Sequence, residues 1–445
     1  MRANGATTSG ELRTHNRVRL LRAVHDGGAT RTRSQLTRDL DLARGTASVL
    51  VGGLAEDELL HEAPAAGHGR GRPTMVPGPH PRGPVVLAAD VREDAWELAA
   101  CELGGRVTVL AVRPHDGTPE DALLPLSAAI GAHGARYGGR VVGVGVAVAG
   151  PVRPDGRTDI AHLGWRSVDV PALLARGAHA GPHLPPPAGA GPGAAPIRPE
   201  PAVKGVRVGN DTALAGLAEA RRGRLRGVGL GLHLHVDFDL GGVLVVGGRP
   251  LAGAGGTGAE FGHMPLHTTR PPHAPGVTAA SRSLGAAEAG EPALCMCGAR
   301  GCWGMEVGAN ALLRRLGLEY GGGRGRRQAE EILARAAAGD GDAGEAVLAV
   351  VEALGCGIAA LVNAHDPEVV TLSGLGADLF DRAEAELRAA GEPWLMSIRR
   401  ACPPPIVASP LRWRGPLLGA MEAVFDAFLT PAGLAAWQAA TRPGT

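Results

Sequence analysis

Apolar and polar positions follow two different rhythms along the chain. Up to about residue 80 the apolar positions recur at helical spacing in short blocks. Val18, Leu20, Leu21 and Val24 mark one face of a helix over about 11–26, which Gly27-Gly28 stops. Leu36 and Leu40 predict a second helix over about 34–40, closed by a tight turn at Asp41-Leu42. Leu50 and Leu54 predict a third over about 44–55. Leu59–Glu62 and Thr74–Val76 read as short strands on either side of Ala65–Pro73, a stretch that alternates glycine with His68, Arg70 and Arg72. Three short helices and a Gly/Arg hairpin predict a winged helix-turn-helix over residues 1–82.

From residue 85 the rhythm becomes an alternation of strands and helices. Val85–Ala89, Trp96–Leu103 and Val107–Val112 predict three strands, the last two turning at Gly104-Gly105, and a helix follows over 119–135. Val141–Val148 is a continuous apolar run, which suits a sheet covered on both faces. Further strands are predicted at Arg207–Val208, Leu230–Val236, Gly242–Val246 and Val369–Ser373. Helices are predicted at about 212–222, 309–317, 327–338, 342–363 and 416–428, the last closing the fold. Residues 176–203 and 268–293 are rich in Pro, Gly, Ala and His without period, and read as insertions.

Composition narrows the function classes. At 445 residues the chain is too long for one ordinary core. The net charge of +1 gives no global signal for nucleic acid, so any such signal must be local. It is local: the first 45 residues carry nine Arg against four acids. Lys204 is the only lysine, a bias of little functional weight. Residues 1–30 lack the apolar segment of a signal peptide, and no apolar run is long enough to span a membrane, so a cytoplasmic protein is expected.

Three of the six cysteines fall within eight residues, in Cys295-Met-Cys297-Gly-Ala-Arg-Gly-Cys302, after Gly262-His263. Three thiolates and an imidazole suit a closed tetrahedral Zn²⁺ site, and the glycines let the backbone wrap one ion. The alternative is three free or buried cysteines.

The segment Gly258-Ala-Glu-Phe-Gly-His263, followed by the Cys-x-Cys-Gly-x-x-Gly-Cys knuckle, resembles the signature of the ROK family of repressors and sugar kinases. The resemblance extends over roughly residues 10–430 and includes the winged helix of the repressor branch. It implies an α/β architecture: a winged helix-turn-helix, then an actin-like (ribonuclease H-like) sugar kinase fold of two lobes over 83–445. The first lobe would take about 83–205 and 410–445, the second about 206–409. It implies His263, Cys295, Cys297 and Cys302 as structural zinc ligands. It also implies that Glu260 and His263 touch sugar hydroxyls, and that Asn210-Asp211 matches the pair whose Asp is the kinase general base. Glu260 can equally be a solvated loop carboxylate, and Asp211 an ordinary helix N-cap. His162-Leu-Gly-Trp165 resembles an Asn-Leu-Gly-Trp segment near the sugar, with His162 in place of Asn.

Departures from the family pattern carry the functional expectation. The phosphate-binding turn Asp-x-Gly-x-Thr is here Asp90-Val-Arg-Glu-Asp94, so Arg92 replaces a glycine and two acids sit where phosphates belong. The second phosphate loop, Asp237-Phe-Asp239-Leu-Gly241-Gly242, puts Asp239 where glycine is usual. The sugar-contacting Glu expected two residues after the last Cys is Gly304, with Glu306 two positions on. Like-charge repulsion disfavours a triphosphate in such a site, so no catalytic residue is expected to be active and the chain is expected not to be an enzyme. In the DNA-reading end, Arg44, Thr46 and Ser48 are placed to meet a major groove, Arg33 and Arg38 phosphates, and Arg70 and Arg72 a minor groove. Arg33 and Arg38 can alternatively form a solvated basic face. Ala43 sits where a Ser or Thr cap is expected, and Gly45, Gly52 and Gly53 weaken the helix. The sequence therefore predicts a regulator, most simply a repressor. Its partners would be a double-stranded DNA operator and a sugar or sugar-derived ligand, and its state a homodimer or homotetramer. An ATP-dependent, glucokinase-like sugar kinase with an appended DNA-binding domain is the alternative, and a degenerate scaffold a third.

Overall fold

The computed structural model describes residues 9–65, 74–177, 205–266 and 293–441. Arg70, Arg72 and all but the edges of the two insertions lie outside the described residues.

Helices α1 (Ser9–Asp26), α2 (Arg33–Asp39) and α3 (Arg44–Glu56) are followed by the antiparallel strands β1 (Leu60–Pro64) and β2 (Met75–Pro79). The predicted helices fall within two residues of these. Thr32 caps α2 in a reciprocal capping box with Gln35. Ala43 gives α3 no side-chain cap, as its chemistry requires.

The body holds two five-stranded sheets of the same design. The first is built from β3 (Val85–Val91), β4 (Ala95–Glu102), β5 (Val107–Pro114), β6 (Val141–Val148) and β9 (Val206–Asn210), in the order β5-β4-β3-β6-β9. The second is built from β10 (Leu230–Val236), β11 (Leu240–Val246), β12 (Arg249–Pro250), β13 (Val369–Gly374) and β14 (Ile406–Ala408), in the order β12-β11-β10-β13-β14. In each, three antiparallel strands are extended by two parallel ones. The repeated order is the ribonuclease H-like topology of two actin-like lobes. Since β9 pairs with β6, the passage between lobes falls at α6 (Asp211–Arg222) and not at residue 206.

Between β6 and β9 the chain makes a small hairpin, β7 (Arg157–Ile160) and β8 (Trp165–Asp169), and helix α5 (Val170–Gly177). The predicted helix at 119 is α4 (Pro119–Tyr137), capped by Thr118. The second lobe is covered by α7 (Ala309–Arg315), α8 (Arg326–Ala337), α9 (Gly341–His365) and α10 (Leu375–Gly391), with the short α11 (Ser397–Ala401) before β14. Helix α9 is long and apolar enough to cross a membrane, but 67 % of its apolar window is buried in this core. The chain then returns to the first lobe as α12 (Gly415–Phe428). The fold does not end there, as the apolar pattern suggested: α13 (Pro431–Thr441) follows and buries Leu434 and Trp437 against the N-terminal helices.

Leu20, Leu21 and Val24 of α1 share one core with Phe425 and Phe428 of α12, Trp437 of α13, and Val86 and Ala88 of β3. The three-helix unit is therefore packed on the first lobe through apolar area, the strongest adhesive available to a folded chain.

Candidate functional site

The lobes meet at a cavity of about 460 Å³. Its walls include Arg153, Arg207 and Asn210 from the first lobe and Thr257, Gly258 and Glu260 from the second. Asn210, not Asp211, is the N-cap of α6: its side-chain oxygen accepts from the Ala213 amide at 2.8 Å. Its amide group donates to the Gly150 carbonyl and to Asp211 Oδ1, each at 3.0 Å. The Thr212 amide and hydroxyl also bond Oδ1 of Asp211, at 2.6 and 3.2 Å, so Oδ2 is left for a ligand. Burial pushes the Asp211 carboxyl up to about 7. Glu260 opens onto the cavity, and enclosure by the cleft walls together with the charge of Asp239 pushes its carboxyl to about 7 as well. Two expected ligand residues thus share one cavity wall-to-wall, and Asp211 sits directly behind Asn210.

The two turns expected to cradle phosphate are filled from within. Arg92 lies 3.1 Å from Asp94 and 4.0 Å from Asp90, and its amide is spent on the Ala95 carbonyl at 3.0 Å. Asp239 Oδ1 accepts from the Leu240 amide at 2.7 Å, the kind of donor a phosphate oxygen would need. Its Oδ2 bonds His162 Nε2 at 2.9 Å. His162 belongs to the first lobe and Asp239 to the second, so this pair bridges the cleft. Burial opposes the charge on His162, but the bond to Asp239 and the nearby Glu93 push its pKa up to about 9. Gly304 is explained by the same pair, because a Cβ there would overlap the Asp239 carboxylate. Asp90 and Glu93 are 5 % and 4 % exposed, and burial pushes them to about 7 and about 8, in Asp90 against the pull of Arg92.

His263, Cys295, Cys297 and Cys302 place one ligand atom each within 4.8 Å of one another. Cys295 Sγ is 3.8 Å from His263 Nδ1, and Cys297 Sγ is 3.8 Å from Cys302 Sγ. Zinc–sulfur bonds of about 2.3 Å at tetrahedral angles put sulfurs about 3.8 Å apart, which matches the Cys297–Cys302 spacing, so the group could hold a metal. Met296, inside the knuckle, touches His162 Nδ1 at 3.1 Å and so ties the Cys/His group to the cross-cleft pair.

On α3, Ala47, Leu50, Val51 and Leu54 are buried, which turns Arg44, Thr46, Ser48 and Val49 outward. Val49 is 59 % exposed. The Ser48 hydroxyl donates back to the Arg44 carbonyl at 3.1 Å. Arg38 is exposed, whereas Arg33 is held by Glu62 of β1 at 3.3 Å. In the acidic run after α3, Asp57 is buried and bonded to Arg17 and Gln438, away from that outward face.

Sequence reasoning missed the joint between the two ends. His25 of α1 accepts from the Gly104 amide on Nδ1 at 3.1 Å, which leaves its Nε2 proton for Glu422 of α12 at 3.0 Å. Glu422 also pairs with Arg222, the last residue of α6. One turn along α12, Asp426 pairs with Arg22 of α1 at 2.6 Å and with Arg221 of α6 at 3.0 Å. Burial alone would raise Glu422, but the hydrogen bond from His25 and the charge of Arg222 hold it below the usual carboxylate range. The only sequence hint was a histidine continuing the apolar stripe of α1.

Residues 201–426 match the ROK family. Among curated protein sequences there is no significant match. A ROK family transcriptional regulator, described as a homologue of the E. coli MLC protein, is 19 % identical with a TM-score of 0.64, covering 96 % of this chain and 99 % of its own. A ROK glucokinase from Streptomyces griseus, solved with glucose and AMPPNP, is 19 % identical with a TM-score of 0.58, covering 77 % of this chain and 99 % of its own. A ROK hexokinase from Thermus thermophilus is 23 % identical with a TM-score of 0.52 and the same coverage. At these identities the likeness shows the fold, which kinases and regulators share.

Proposed function

The chain belongs to the ROK family, and from that premise we propose that it is a DNA-binding transcription regulator, a repressor, whose former kinase cleft senses a sugar or sugar-derived ligand. One observation carries the reading above the others. The three-helix unit that exposes Arg44, Thr46 and Ser48 is joined to α6, the helix that begins at the cleft, by the hydrogen bond of His25 to Glu422 and the ion pairs of Glu422 with Arg222 and of Asp426 with Arg22 and Arg221. Such a joint serves a protein that must report cleft occupancy to DNA, and a kinase has no use for it.

In this reading α3 enters a major groove, Arg38 meets phosphates, and Arg70 and Arg72 reach a minor groove. Arg33, tied to Glu62, positions the hairpin and adds a phosphate contact at its edge. Asn210, Asp211, Glu260 and His263 grip ligand hydroxyls. His263, Cys295, Cys297 and Cys302 hold a structural Zn²⁺, which when bound fixes the knuckle that carries Met296 and Gly304 against the cleft. A closed site of four N and S ligands stabilises folding and has no open position for chemistry. The protein works in the cytoplasm as a homodimer or homotetramer, and a two-fold operator follows from the dimer.

A gel shift tests it. The full-length protein should retard the DNA upstream of its own gene against excess competitor DNA, and sugars should change the affinity.

The second reading, an ATP-dependent sugar kinase, is favoured by the open Oδ2 of Asp211 at the cleft. It requires phosphates to lie beside Glu93, Asp94 and Asp239, and in-line transfer needs that charge neutralised. ATP consumption over a hexose panel, lost in Asp211→Asn, would establish it.

A further inference from the structure

The cavity between the lobes runs along an open sheet edge. Every residue of β9 lines it, and β9 is the last strand of the first sheet, paired only with β6. The Val144 amide of β6 donates to the Gly205 carbonyl at 3.3 Å. In a parallel pair, residues that bond the neighbouring strand alternate with residues that face away from it. Arg207 and Gly209 therefore spend their backbone groups on β6, in register with Gly145 and Ala147. The amides and carbonyls of Val206 and Val208 point toward the open edge, along which the cavity lies. Pro250–Ala252, Gly256–Gly258 and Glu260 of the second lobe form the remaining wall. A Cβ at Gly256 would touch the Pro154 ring at 3.4 Å, so the lobes meet at the cavity there.

The charged side chains that line this space are Arg153, Asp155, Arg207 and Glu260. Two of them are committed elsewhere. Arg153 is bound to Asp159, and to the Ser167 hydroxyl at 3.1 Å. Asp155 accepts from the Arg157 amide at 3.0 Å and pairs with the Arg157 guanidinium at 3.6 Å. Arg207 is exposed, and its guanidinium has no hydrogen-bond or ion-pair partner among the described residues; the Glu260 carboxyl has none either. The cavity thus offers one unengaged cation on the first lobe and one unengaged carboxyl group on the second. An exposed arginine is ordinarily solvated. This one shares a cavity of about 460 Å³ with the edge amides of Val206 and Val208, so its charge and their N–H groups are available to the same ligand.

We propose that the cleft binds a sugar acid, its carboxylate held by the Arg207 guanidinium and its hydroxyls shared among the open edge of β9, Asn210, Thr257 and Glu260. The proposal rests on the ligand-sensing reading above and names the chemistry of the ligand. The planar fork of a guanidinium matches the two oxygens of a carboxylate. One unengaged cation balances one negative charge, which favours a carboxylate over a dianionic phosphate, for which Asp155 and Glu260 would be poor neighbours. Hydroxyls both donate and accept, and an open strand edge presents N–H and C=O groups in turn. Arg207 stands on the strand that ends in Asn210, the N-cap of α6. A ligand gripped by Arg207 on one lobe and Glu260 on the other pulls together the two walls between which α6 begins.

Calorimetric titration and thermal shift of the full-length protein as purified test the proposal. The ligands are D-glucuronate, D-galacturonate and D-gluconate, beside D-glucose, D-galactose and D-glucose 6-phosphate. At least one sugar acid should bind roughly tenfold or more tightly than its neutral parent, the margin of a charge-assisted bond. That margin should shrink as salt is raised. Arg207→Gln should remove it, and Arg207→Lys, which keeps the charge but not the fork, should retain part of it. Arg207 is exposed, so an unliganded unfolding midpoint close to that of the parent protein checks that both variants fold. Neutral sugars that bind as tightly as every acid, a margin that survives Arg207→Gln, or glucose 6-phosphate binding as tightly as the best acid would each overturn the proposal. If a neutral sugar alone alters DNA binding, the sugar-acid inference falls and the regulator reading stands; if no DNA is bound, the reading itself falls.

Discussion

Gly304 carries no side chain because Asp239 occupies the space, and Asp239 is there because His162 reaches across the cleft to it. Three departures that look separate in the sequence are one structural feature. Arg92 was legible as a lost glycine, and the cysteine knuckle as a group that could hold a metal, because both are short-range patterns. The burial of the cleft carboxyls, Glu93 among them, was not legible, since it depends on the opposite lobe. It has a consequence for pH. Asp90, Asp211, Asp237 and Glu260 at about 7, and Glu93 at about 8, all bind protons more tightly in the folded state than unfolded. Their stabilisation is complete below the unfolded carboxylate pKa of about 4 and fades as pH rises through 7 to 8. His162, raised to about 9, adds stability that is complete below its unfolded value of about 6.5 and is lost through pH 9. The unfolding midpoint should therefore fall steadily from pH 6 to 9, and Glu93→Gln should flatten that slope; a midpoint that rises over this range contradicts the burial described. At the metal centre, elemental analysis should find about one zinc per chain. Cys297→Ser should lower the midpoint and abolish the response to ligand, and fresh protein without zinc would dismiss the site.

At the scale of elements, α6 is the part that matters most. Its first residue lies at the cleft and its last two meet α12 and α1 through Glu422 and Asp426. In the proposed regulator, a shift of α6 by ligand would be felt by α1, the helix that opens the three-helix unit. Glu422→Gln removes the charge of a buried carboxylate that pairs with Arg222 and should cost about 2 kcal/mol of stability. It should leave ligand affinity intact while shrinking the effect of ligand on DNA affinity; an undiminished effect, measured by fluorescence anisotropy, rules out this joint as the route. On α3, Arg44→Ala should cost about 1–3 kcal/mol in binding to the preferred DNA sequence if it reads a base, with little change on random DNA. Equal losses on both would assign Arg44 to the backbone instead. Most elements were legible because apolar spacing is local. Helix α10 was not, since it starts at Gly374-Leu375-Gly376, where glycines read as a turn, and β14 is three residues long. Helix α13 is rich in small residues and is fixed by Trp437, whose ring donates to the Asp57 carbonyl at 2.8 Å.

At the scale of the molecule, two lobes with the same strand order enclose a cleft whose phosphate loops are occupied by the protein's own charges, and a winged helix-turn-helix is packed on the first lobe. The two-lobed fold was legible from strand–helix alternation together with the family resemblance. The way the lobes share His162 and Asp239, and the way α1 locks onto α12, arise only when residues more than 70 and nearly 400 positions apart meet. ATP consumption with hexoses should stay at background, because a triphosphate would meet carboxylates where amides and cations are needed. The central claim is that the cleft speaks to DNA. It is tested most directly by the affinity of the full-length protein for the DNA upstream of its own gene, with and without sugars, at fixed low salt. A specific complex should survive competitor DNA and change its affinity when a sugar is bound. The absence of any specific complex with any upstream fragment would contradict it.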